Sequence, residues 1–112
     1  MTIAELIAAY RAAVERLDAA VERLDEATKN WLGAGYGHAR TVAHEQACTD
    51  LMVALQAIFE FEPLIEPDAG ELLHFIADDP AAFEIWLNVT DSKERATFFR
   101  RLVDVLLPAL ER

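Results

Sequence analysis

The sequence predicts an all-helical protein, and three observations support this fold class. Apolar residues recur at spacings of three and four along the 112-residue chain, and no stretch shows the sustained alternation of a strand. Helix-capping signals precede several of these apolar segments, and glycine and proline fall between the segments. We therefore expect one domain over residues 1–112, with a long helical hairpin at about 2–60 and three shorter helices at about 68–111.

Helix 1 is predicted to begin at a capping box formed by Thr2 and Glu5. Within it the seven residues Ala-Ala-Val-Glu-Arg-Leu-Asp occur twice, at 12–18 and 19–25. A seven-residue repeat places the same side chains on one face, which is typical of a packing seam. The apolar residues on this face are Ile7, Tyr10, Val14, Leu17, Val21 and Leu24.

The length of helix 1 favours self-association. A helix of about 30 residues is ~45 Å long, which is more than three short helices can cover. We therefore expect a second copy to cover the heptad face, so that a homodimer completes an intermolecular four-helix bundle. A monomer in which the last helix folds back along helix 1 is the alternative.

The later elements follow from glycine, proline and capping signals. Residues 33–37, Gly-Ala-Gly-Tyr-Gly, predict the turn of the hairpin, with Tyr36 at its tip as a candidate partner contact. Helix 2 should then run from about 38 or 41 to about 60, and it should be the most buried helix because 51–59 is apolar nearly all round. Helices 3, 4 and 5 are predicted to begin at the signals Asp68/Glu71, Asp79/Pro80 and Asp91/Glu94.

Acidic residues dominate the middle of the chain. The formal net charge is −10, and the segment between Thr41 and Ser92 has eleven carboxylates and no lysine or arginine. Such a field repels nucleic acid and anionic membranes and attracts basic proteins, although a charge block is often only solvated. The candidate partner contacts are Glu60, Glu62, Glu66, Asp78 and Asp79.

The expected location is the cytoplasm. A single cysteine excludes a disulfide within the chain, and the N-terminal residues do not resemble a signal peptide. No apolar run approaches the ~20 residues that a membrane-spanning helix needs.

Two residue pairs are candidate metal ligands. Glu71 and His74 have the Glu-x-x-His spacing of ferritin-like di-iron bundles. His44 and Cys48 lie four residues apart, which suits zinc or a thiol beside a base. The capping box already explains Glu71, and a lone cysteine is usually a core residue, so we expect no metal or other cofactor.

These features favour a non-enzymatic interaction module that presents an acidic face to a basic or nucleic-acid-binding protein, as an inhibitor, an adaptor or a regulator. In charge and size the chain is similar to small acidic helical proteins that mimic DNA. The alternatives are a metal-binding helical bundle and a purely structural oligomer.

Overall fold

A computed structural model describes the backbone of residues 2–30, 34–62 and 64–111, and the side chains of 2–23, 42–62 and 64–111. These residues form five helices and no strand, which confirms the all-helical fold class. The helices are α1 (Ile3–Asn30), α2 (Ala34–Phe59), α3 (Glu66–Asp78), α4 (Pro80–Val89) and α5 (Ser92–Leu110). None of these helices, as far as they are described, is long and apolar enough to cross a membrane.

Three helices begin where their capping signals predict. The Thr2 hydroxyl accepts from the Glu5 N–H at 3.2 Å, and the Glu5 carboxylate accepts from the Thr2 N–H at 3.3 Å, so the capping box of α1 is complete. The Asp79 carboxylate accepts from the Ala82 N–H at 3.1 Å and caps α4. Asp91 caps α5 in the same way, with a bond of 2.7 Å from the Glu94 N–H.

Two predicted helix starts are wrong. The helix α2 begins at Ala34 rather than at 38 or 41, so the last glycines of 33–37 belong to the helix and not to a turn. Glycine lowers helix stability by about 1 kcal/mol but removes no hydrogen-bond donor, so packing elsewhere can override it. The helix α3 begins at Glu66, two residues before the predicted cap Asp68, because Pro67 fits the first turn, where its missing N–H has no partner to lose.

The stretch 51–59, although apolar nearly all round, is buried on one side only. Leu51, Leu55 and Ile58 are buried, but Val53 has 61% of its surface exposed. The helix α2 therefore keeps one exposed side even where almost every residue is apolar. Prediction from composition overestimates burial here, because a helix can bury only the face that another element covers.

The chain divides into two compact units, one of Met1–Ile7 with Leu55–Arg112 and one of Ala8–Ala54. In the first unit α3 packs against both α4 and α5. Five aromatic rings form a continuous cluster in this unit, with neighbouring centroids 4.5–6.3 Å apart. The cluster consists of Phe59, Phe83, Trp86, Phe98 and Phe99.

The second unit contains most of α1 and α2, and its buried residues include two alanines of α1. Ala13 is fully buried and Ala20 is 6% exposed, whereas Val14 is only half-buried and Val21 is 39% exposed. The most buried residues in this part of α1 are therefore the alanines that immediately precede the valines of the heptad. Small residues allow close approach of another element, which accounts for alanine rather than valine in the most covered places.

Candidate functional site

Along the chain the five predicted acidic contacts form two groups, one at each end of α3. Glu60 and Glu62 are exposed just after α2, and Glu66 is the first residue of α3. Asp78 is the last residue of α3, and Asp79 caps α4. The helix α3 has 13 residues, so Glu66 and Asp78 lie about 18 Å apart along its axis.

The first acidic group is fixed by an arginine of α5. The Arg101 guanidinium donates hydrogen bonds to the main-chain carbonyl oxygens of Phe59, at 3.4 Å, and of Phe61. Its Nε lies 4.0 Å from a carboxylate oxygen of Glu62. No basic residue lies in the last turn of α2, so Arg101 supplies from another helix the positive charge that favours a helix C-terminus.

A groove of about 610 Å³ lies beside this arginine, between the end of α2 and α5. Buried aromatic rings form its base, and charged side chains of both signs form its rim. The lining residues are Phe59, Glu60, Glu62, Trp86, Lys93, Glu94, Thr97, Phe98 and Arg101. The rim has three carboxylates and two cations, and Arg101 is already bonded to carbonyl groups, so the groove favours cationic groups of a partner.

The base of the groove is rigid. The Phe59 and Trp86 rings stack with centroids 4.5 Å apart, and the Phe98 ring meets both of them edge-on. All three rings are at most 3% exposed. A closely packed aromatic base holds the end of α2 against α4 and α5, and this contact fixes the position of Glu60 and Glu62.

The predicted metal ligands are partly brought together. The Cys48 Sγ lies 3.9 Å from the His44 Nε2, and both residues are half-buried. Glu71 and His74 are exposed on α3, and Glu71 lies in the second turn, so its predicted capping role is wrong. In the described part of the chain, no group of three or more His, Cys, Asp or Glu side chains is placed to hold a metal ion.

The predicted dimer face on α1 is partly covered within a single chain. Ile7 and Tyr10 are 8% and 3% exposed, and Leu17 is half-buried like Val14. Val21 is exposed, and the side chain of Leu24 lies outside the described residues. Ile7 and Tyr10 are therefore already buried within one chain, so fewer residues of the heptad face are available to a second copy than the sequence indicates.

Sequence reasoning missed the contact that α5 makes with the main chain at the end of α2. The contact of Arg101 with the end of α2 joins residues 40 and 42 positions apart, and no local pattern marks such a pair. The absence of a basic residue from the last turn of α2 is a signal that another element supplies one. The predicted contact Tyr36 has a side chain outside the described residues.

Comparisons with known proteins show no relationship. No protein-family model matches the chain, no curated protein is significantly similar to it in sequence, and no solved structure matches it.

Proposed function

We propose that this chain is a non-enzymatic interaction module that binds a basic or nucleic-acid-binding protein through its carboxylates, as an inhibitor, an adaptor or a DNA-mimic-like regulator. One observation supports this most strongly. Of the eleven carboxylates between Thr41 and Ser92, eight are exposed and three are half-buried, and no lysine or arginine lies among them in the sequence. A basic partner therefore meets a mainly negative segment, although Lys93 and Arg101 of α5 lie beside Glu60 and Glu62.

The group at the end of α2 is the proposed centre of the contact. Glu60 and Glu62 lie on a backbone segment held by Arg101 and by the aromatic base, so little ordering of the backbone is needed when a partner binds. The group at Asp78 and Asp79 adds a second point of contact at the other end of α3. Two acidic points about 18 Å apart suit an extended basic surface such as a nucleic-acid groove.

We further propose that the protein is a cytoplasmic homodimer. On α1 the described apolar residues of the heptad that stay half-buried or exposed are Val14, Leu17 and Val21. These residues support the proposed intermolecular four-helix bundle, because a half-exposed apolar line on a long helix is stabilised by burial against another helix.

Affinity capture with charge-reversed variants tests the acidic contact. The immobilised wild-type chain should capture basic proteins that are released as the salt concentration rises, because salt screens exposed charges. The variant E60K/E62K should lose this capture. D78K then shows whether the second acidic group takes part.

The matched control is E15K/E22K, which changes two exposed glutamates of α1 and alters the net charge by the same amount. It should retain capture of the same proteins. Equal loss in both variants would mean that net charge alone attracts the partner, and unchanged capture by E60K/E62K would overturn the assigned contact.

A further inference from the structure

The helix α5 has an apolar face that the rest of the chain leaves exposed. The exposed fractions are 44% for Phe99, 54% for Val103, 48% for Leu107 and 81% for Leu110. With the exposed Ala96 these residues recur at spacings of three and four, so they share one side of the helix. We call this set, Ala96, Phe99, Val103, Leu107 and Leu110, the outer face of α5.

The outer face adjoins the face with which α5 packs in its own chain, and Phe99 belongs to both, because its ring centroid lies 6.3 Å from that of Phe83. Phe98 and Leu102 are buried, at 3% and 7% exposure, and α5 packs against α3. A helix that is apolar on two sides is stabilised by two partners. Four large apolar residues exposed side by side form the kind of patch that marks an interaction site.

Charge selects the partner for this face. Residues 93–112 contain five basic and three acidic residues, unlike the strictly acidic segment before them. Two copies of a chain with net charge −10 therefore repel each other less when they approach through this segment of mixed charge than through the acidic segment.

We propose that the outer face of α5 is the surface through which two copies of this chain associate, as an antiparallel helix pair with a two-fold axis near Val103. This inference rests on the proposed homodimer and gives α5 as the alternative to α1 for the contact between the two copies. In this register Phe99 lies level with Leu107 of the second copy, and Leu110 lies level with Ala96 of the second copy. Each large side chain then meets a smaller or flexible one, as close packing requires.

The flank of the outer face is self-complementary in charge. Arg100 and Asp104 are both exposed and lie one helical turn apart. With the axis near Val103, Arg100 of each copy comes within reach of Asp104 of the other copy, which gives two ion pairs per dimer. Ala96, Arg100 and Asp104 also line a surface groove of about 500 Å³ along this flank.

Sedimentation equilibrium of the full chain over a range of concentrations tests the proposal. The wild-type chain should be a dimer, and V103E/L107E should raise the dimer dissociation constant at least about tenfold, because the glutamates of the two copies face each other at the axis. The matched control is V53E, which places the same charge at an exposed valine of α2 and should leave the dimer intact. Circular dichroism should show unchanged helix content in both variants.

A charge swap tests the antiparallel register without changing the apolar face. R100D should weaken the dimer, because Asp104 of the second copy then meets a like charge. R100D/D104R should restore it, because both ion pairs re-form with exchanged partners. Failure of the double variant to recover would overturn the antiparallel pairing.

The outcomes separate this inference from the proposals on which it rests. A dimer that survives V103E/L107E but dissociates in L17E/V21E would overturn the α5 contact and place the second copy on α1. A wild-type chain that stays monomeric at all concentrations would overturn the α5 contact and the homodimer together. Capture of basic proteins through Glu60 and Glu62 is measured separately and can succeed or fail in either case.

Discussion

The guanidinium of Arg101 donates a hydrogen bond to the main-chain carbonyl oxygen of Phe61, so a side chain of α5 closes the end of α2. The same group reaches the carbonyl of Phe59 and lies near the Glu62 carboxylate. This contact connects the core to the proposed function, because the backbone that Arg101 holds is the backbone that carries Glu60 and Glu62.

Arg101→Ala should therefore lower the free energy of unfolding by about 1–2 kcal/mol. The substitution removes the hydrogen bonds from a partly exposed guanidinium to two main-chain carbonyl oxygens. Arg101→Lys should recover only part of this loss, because an ammonium lacks the planar fork that spans two carbonyls. Urea unfolding measures both effects. Lys93→Ala, at an exposed neighbour on α5, should change stability by less than about 0.5 kcal/mol.

Asp79→Ala should cost about 1 kcal/mol, because the Ala82 N–H at the start of α4 loses its acceptor. Asp79→Asn should retain most of the stability, since its side-chain oxygen accepts the same bond. The adjacent Asp78→Ala is the control, as this exposed residue ends α3 and caps nothing. Equal losses at both positions would contradict the assignment of Asp79 as the cap.

Phe98 and Phe99 are adjacent residues of the same type in different environments. Phe98 is 3% exposed and touches the rings of Phe59 and Trp86, whereas Phe99 is 44% exposed. Phe98→Ala should cost about 3–5 kcal/mol by leaving a cavity. Phe99→Ala should lower the free energy of unfolding by about 1 kcal/mol, measured by thermal or urea unfolding at low protein concentration. A larger loss in Phe99→Ala than in Phe98→Ala would contradict the assignment of Phe98 to the core.

Ile65 is an N-cap without a capping side chain. Its backbone is extended, with φ −110° and ψ 168°, and 54% of its surface is exposed. Ile65→Thr should therefore stabilise the protein by about 0.5–1 kcal/mol, because a hydroxyl there accepts from an N–H in the first turn of α3. An unchanged or lower melting temperature would indicate that Ile65 contributes packing that the structure does not reveal.

Local signals in the sequence predicted the fold class and the starts of three helices. The bonds of Thr2, Asp79 and Asp91 join residues three positions apart, so the pattern that predicts them is contained within one helical turn. The start of α3 was mispredicted because two signals competed. Asp68 resembles a cap, but Pro67 is equally suited to the first turn, and the helix includes both residues.

The relations that decide the candidate site are not local. The heptad predicted a seam through Val14 and Val21, but Ala13 and Ala20 are the more buried residues, because what packs on a helix is set by its neighbours. The separation of the two acidic groups likewise follows from the length of α3, whose first residue was predicted two positions too late. Apolar residues on the outer face of α5 are exposed, which the sequence does not reveal, since an apolar side chain alone does not indicate which element covers it.

Native mass spectrometry of protein purified without a chelator tests most directly whether this chain is a homodimeric interaction protein rather than a metal-binding one. We expect a species of twice the 12.5 kDa chain mass with no bound metal ion. A monomer would contradict the proposed homodimer. A dimer that carries one or two metal ions per particle would contradict the proposed function and direct attention to His44, Cys48, Glu71 and His74.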